Sequence, residues 1–137
     1  MSYLLDTNIF LEILLEQHKA KICKELIVKM INKGVPIFIS DFSFFSIAIK
    51  LAKANKIDEF MDFKKELIDS GYVRIARLDP KTEFEEIANI LKDFTFDDAY
   101  QYLLCRLKNM ELITLDSDFY KVEDIKVHHP EDILKLF

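Results

Sequence analysis

The chain has 137 residues, half of them apolar and twelve of them Phe, with only two Gly and three Pro and a net charge of −5. That length suits one domain over residues 1–137 with a substantial core, and the scarcity of Gly and Pro excludes long flexible linkers. The negative balance argues against tight, non-specific binding to nucleic acid, which draws affinity from Lys and Arg on phosphates.

Tyr3-Leu4-Leu5 reads as a short buried strand ending at Asp6, followed by a helix over 8–16. From Lys19 to Met30 the apolar residues Ile22, Cys23, Leu26, Ile27 and Met30 follow helical spacing, and Gly34 ends that helix. Residues 35–39 form a second strand, with Pro36 near its start. Helices follow from about Asp41 to Ala54 and from about Ile57 to Ile68, and Gly71 breaks the second of them. Val73, Ile75 and Leu78 mark a third strand. Asp79-Pro80 is a helix start, and that helix runs to about Lys92. Thr95 opens the next helix. Leu112-Ile113-Thr114-Leu115 is a fourth strand ending at Asp116. A short turn near Asp118–Tyr120 precedes a fifth strand over 125–127, whose connection is short for a parallel crossover. Pro130 to Leu134 makes a last helical turn.

Alternating strands and helices predict a three-layer α/β/α sandwich around a mostly parallel sheet of about five strands. Cys23 and Cys105 read as two reduced core thiols. Asp6 and Glu12 interrupt the N-terminal apolar residues, so no signal peptide is expected. No apolar stretch reaches the roughly 18 residues that span a membrane. A cytoplasmic protein without membrane association is the expectation. His128 and His129 read as part of a solvated loop. The stretch Phe42, Phe44, Phe45, continued by Ile47-Ala48-Ile49, reads as core or as a dimer surface rather than a base-stacking platform.

In a parallel sheet, strand C-termini and helix N-termini share one rim, where ligands bind. Asp6 ends the first strand, Asp41 follows the second, and Asp116 and Asp118 follow the fourth. Asp97 and Asp98 open the helix that runs back before the fourth strand. Carboxylates gathered this way repel one another unless a positive charge intervenes, and Mg²⁺ or Mn²⁺ accepts such oxygen ligands. No His or Cys cluster suits zinc. Each aspartate also has an ordinary explanation as a helix cap: Asp6 for the first helix, Asp98 in a capping box with Thr95, Asp116 for the turn that follows it. Their joint appearance at one rim favours a metal site, and the two roles are compatible.

Leu4-Leu5-Asp6-Thr7-Asn8, Asp98-Ala99 and Thr114-Leu115-Asp116-Ser117-Asp118-Phe119, in this order, resemble the motifs of the PIN domain, the fold of many ribonucleases and of VapC-type toxins. One departure is plain: that family usually carries a Glu about six residues beyond a Ser after the second strand. Here that count from Ser40 lands on Ser46, with no Glu in 39–51 and Asp41 the only acid nearby. The resemblance implies hydrolysis of RNA phosphodiesters, with Asp6 and Asp98 holding the metal, Asp116 completing its shell and Asp118 in support. It implies single-stranded RNA, an antitoxin protein and a second copy of the chain as partners. Asn8 and Thr114 would orient the carboxylates, or serve as helix start and strand content. Ser46 would reach substrate or water, or simply pack in its helix. The main alternative is a PIN-fold binding module for RNA or protein that has lost turnover with the Glu. A phosphatase of the haloacid dehalogenase type is a weaker rival, because Asp6-Thr7-Asn8 lacks the second acid of its Asp-x-Asp.

Overall fold

The computed structural model describes residues 1–137. Five strands form one sheet: β1 (Ser2–Leu5), β2 (Ile37–Ser40), β3 (Val73–Ala76), β4 (Met110–Ile113) and β5 (Val127–His128). Their order is β3-β2-β1-β4-β5, and every pair is parallel. Seven helices accompany them: α1 (Thr7–Leu14), α2 (Ala20–Asn32), α3 (Asp41–Lys53), α4 (Ile57–Phe63), α5 (Glu86–Ile90), α6 (Phe96–Lys108) and α7 (Pro130–Leu134).

The central strands are apolar on both faces because helices cover both. Tyr3, Leu5, Ile37, Ile39 and Ile113 turn to one side, where they pack with Ile9 and Phe10 of α1, Leu26 and Met30 of α2, Ile47 and Leu51 of α3, and Ile133 of α7. Leu4 and Leu112 turn to the other, against Ile87 of α5, Leu103 and Leu104 of α6, and Phe119. Cys23 and Cys105 are buried, free thiols in these two halves of the core. Burial holds the Cys23 thiol up at about 11, so it stays protonated.

Several boundaries differ from the sequence reading. The helix expected from Asp79 begins only at Glu86. The Asp79 carboxylate accepts from Lys81 N at 2.9 Å, and Glu83 Oε1 accepts from Asp79 N at 2.7 Å. These bonds close a tight turn around Pro80 instead of capping a continuous helix. The helix from Ile57 passes into a π turn over Lys64–Ile68. β4 starts at Met110, two residues earlier than its apolar pattern suggests. Asn109 takes a left-handed conformation (φ 54°) that ends α6 and feeds the strand directly. Its charged residue, Glu111, is buried because His128 Nε2 lies 2.6 Å from Oε1. β5 is correspondingly shifted to Val127–His128. His128 is thus a strand residue, and His129 caps α7 by accepting from Glu131 N; neither is a plain solvated loop position. No helix is long and apolar enough to cross a membrane.

The sheet edges are β3, which carries the exposed Arg74, and the two-residue β5. Among core side chains Phe10 is 1% exposed and packs edge-on against Phe63. We expect Phe10→Ala to lower unfolding free energy by about 3–5 kcal/mol, read as a drop in the urea midpoint at unchanged slope.

Candidate functional site

The strand order reverses direction at β1, whose neighbours are β2 and β4. Residues leaving the C-terminal ends of β1 and β4 therefore flank the crevice where an open parallel sheet binds ligands. Asp6 leaves β1 and Thr114 leaves β4, and their side chains meet: Thr114 Oγ1 donates to Asp6 Oδ2 at 2.7 Å.

Asp6 is only 7% exposed, so its carboxylate needs donors from the protein. On Oδ1 it accepts from Thr7 N at 2.8 Å and from Gln101 Nε2 at 3.0 Å. On Oδ2 it accepts from Thr114 and, at 3.4 Å, from Asn8 Nδ2. It also caps α1, as the capping reading expects. Thr114 Oγ1 accepts in turn from Asp116 N at 2.9 Å, which ties the loop after β4 to Asp6. Asn8 works across the same junction. Its Nδ2 also reaches Thr114 Oγ1, and its Oδ1 accepts from Leu115 N. Both side chains donate to the Asp6 carboxylate.

Asp98 stands in the first turn of α6, after the Thr95 cap. Burial, then the charges of Asp116 and Asp6, push its carboxyl up to about 6. Asp98 thus feels the charges of both other acids. Asp116 is half-buried and caps the short turn Ser117–Lys121 by accepting from Asp118 N. Asp118 is exposed. It lines a cleft of about 600 Å³ with Thr95, Asp98, Tyr102 and Lys121.

The remaining candidates sit elsewhere. Asp97 is exposed and acts on Asp98 only through its charge. Asp41 accepts from the Tyr100 hydroxyl at 2.6 Å and from Phe42 N. Burial and that bond raise the Tyr100 hydroxyl to about 12. Asp41 therefore belongs to a link between α3 and α6, beside the three coupled acids. Ser46 faces a different cleft of about 480 Å³, with Phe42, Phe45, Ile49, Phe96 and Tyr100. It makes no bond to the acidic rim. Two other residues occupy that place. Ser43 is fully buried and receives Gln101 Nε2 at 2.9 Å, with Ser40 and Thr7 hydroxyls at 3.0 and 2.6 Å. Gln101 is 1% exposed. Its signal was its spacing, three residues beyond Asp98 on the same helix face and polar within a buried run.

No group of three or more His, Cys, Asp and Glu side chains stands close enough in this arrangement to hold a metal ion. The donor chemistry nevertheless fits a hard dication. The candidates are oxygens, and Asp98 is raised first by burial and then by the neighbouring acid charges, both of which a cation would offset. Gln101 Oε1 is a buried oxygen with no partner.

Comparison with known proteins agrees with this architecture. Among solved structures, the chain is similar to VapBC2 from Rickettsia felis bound to a DNA fragment from its promoter, at TM-score 0.73 and 16% identity over 94% of this chain and 98% of that one. It is similar to VapBC-1 from nontypeable Haemophilus influenzae, at 0.70 and 16% over 96% and 99%. A toxin-antitoxin complex from Klebsiella pneumoniae aligns at 0.67 and 18% over 93% and 97%. No curated protein matches the sequence significantly. The PIN domain family model matches residues 3–125, nearly the whole chain, and the chain therefore belongs to the PIN domain family.

Proposed function

We propose that this chain is a divalent-metal-dependent endoribonuclease acting on single-stranded RNA. The observation that carries this reading is the coupling of Asp98 to Asp116 and Asp6, with Asp6 buried and bonded at the sheet's switch point. Asp6, Asp98 and Asp116 would hold Mg²⁺ or Mn²⁺. When bound, such an ion polarises a phosphate oxygen and makes a water more acidic. The protein's own part is to keep the carboxylates in place. Thr114 fixes Asp6 and the backbone of Asp116 through one hydroxyl, and Asn8 holds the loop between them. Asp118, exposed beside Asp98, would support the ion or orient water at the cleft mouth.

The likeness to VapBC and toxin-antitoxin structures supports a second part of the reading: a toxin acting in the cytoplasm and neutralised by an antitoxin protein. The outer face of α3 supports a homodimer, since Phe45 is 64% and Ile49 55% exposed beside Phe96. A binding module without turnover is the competing reading. It is favoured by the absence of Glu from α3 and by Asp6 having its acceptor sites already filled by protein donors.

Cleavage of an unstructured RNA with Mn²⁺ or Mg²⁺ decides between them. Wild type should cut and EDTA should stop it, while Asp6→Asn and Asp98→Asn should each reduce the rate by about 100-fold or more. Equal rates in all three proteins would remove the nuclease.

The raised Asp98 carboxyl has a stability consequence in the metal-free protein. Between the unfolded value of 3.8 and about 6 the folded state binds more protons, so stability falls as pH rises through that window. Asp98→Asn should therefore raise the melting temperature at pH 7.5, by the equivalent of about 1 kcal/mol once solvent screening is allowed for, and give no such gain at pH 3. A dimer through α3 should dissociate in Phe45→Glu, seen as a halved mass by light scattering; an unchanged mass would place the contact elsewhere.

A further inference from the structure

Gln101 is an unusual choice for its position. It lies in a buried run of α6 between Tyr100 and Tyr102, with Leu103 and Leu104 following. A leucine there would bury well. The glutamine instead leaves Oε1 without a partner, a fault that ordinarily costs about 1–3 kcal/mol. What it gains is a double donation from one nitrogen. Nε2 reaches Asp6 Oδ1 at 3.0 Å and Ser43 Oγ at 2.9 Å. The reverse orientation of the amide would set its carbonyl oxygen against the Asp6 carboxylate, so the acid itself fixes which end points inward. Ser43 is anchored from the far side by Ser40, the cap of α3. Thr7, whose backbone N–H also binds Asp6, shares a hydroxyl contact with Ser43.

We infer that Gln101 is the positioning residue of this acidic site: it locks the Asp6 carboxylate against α3 through Ser43, on a side where α3 offers hydroxyls and no glutamate. The inference rests on the metal-site reading above. Its logic is that neutral donors, not an extra acid, hold Asp6 from the α3 side. On that side Asp6 gains its hold without a further negative charge at its own oxygens.

The test is Mn²⁺ titration of the full chain, without RNA, followed by electron paramagnetic resonance, beside the melting temperature. Gln101→Leu removes the orphan oxygen but also one donor to the buried Asp6 carboxylate; the chain should still melt cooperatively, at an equal or modestly lower temperature, yet bind Mn²⁺ about 10- to 100-fold more weakly. Gln101→Met, unbranched and of similar length, provides the same comparison should the leucine variant misfold. Ser43→Ala should weaken Mn²⁺ less, and the double variant should be no worse than Gln101→Leu, because both act through one bond. Wild-type Mn²⁺ affinity in both Gln101 variants, with Asp6→Asn losing it, would overturn this inference and leave the metal site standing. A wild-type chain that binds no Mn²⁺ would remove both. In RNA cleavage, the Gln101 variants should lower kcat with KM little changed.

Discussion

A buried carboxylate at the end of β1 is the constraint around which this molecule is arranged. Asp6 cannot lose its water without gaining donors, and it takes them from four places: the first turn of α1, the Asn8 side chain, the hydroxyl after β4 and the amide of α6. Two of the donors are local, but Thr114 and Gln101 come from distant stretches of chain and reach Asp6 only because the sheet places β4 beside β1. The same bonds then reach outward. Thr114 carries the constraint to Asp116, and Gln101 carries it to Ser43 and Ser40. The network fixes Asp6 and the loop of Asp116, while Asp98 is placed beside them by the Thr95-capped start of α6.

That network explains which parts of the molecule were legible in the sequence. The strand and helix alternation follows from short apolar runs and helical spacing, and both survive in the structure because each run meets a covered face. Parallel connectivity also sends Asp6, Asp98 and Asp116 toward one edge, but no three acids stand close enough there to hold a metal ion. Glu111 hid the start of β4, because a charge inside an apolar ladder makes sense only once His128 is known to sit beside it. Asp79-Pro80 carried a helix-start signal, but its carboxylate found a nearer backbone partner in Lys81.

The side chains that orient the acids were harder to read. Counting six residues from Ser40 picked Ser46, whereas the packing uses Ser43, three residues on. The cap geometry decides this: Ser40 Oγ accepts from Ser43 N and holds the Ser43 hydroxyl beside it, turned inward, while Ser46 faces the aromatic cleft. Gln101 likewise has no local reason to be polar. Its meaning lies in a residue 95 positions earlier in the chain, and long-range pairs of that kind leave little trace in periodicity. Asp41 shows the converse. It sits at the right rim, yet Tyr100 claims it, so position at the edge of a sheet does not by itself enrol a carboxylate in a common site.

The borders of the sheet also have a consequence for how this protein meets others. β5 offers only two residues of ladder, and β3 presents Arg74 to solvent. Too little open backbone at one margin and a guanidinium at the other discourage an incoming strand from extending the sheet. That disfavours runaway stacking of one copy upon the next and leaves the side-chain surfaces of helices as the places where fit can be specific and self-limiting.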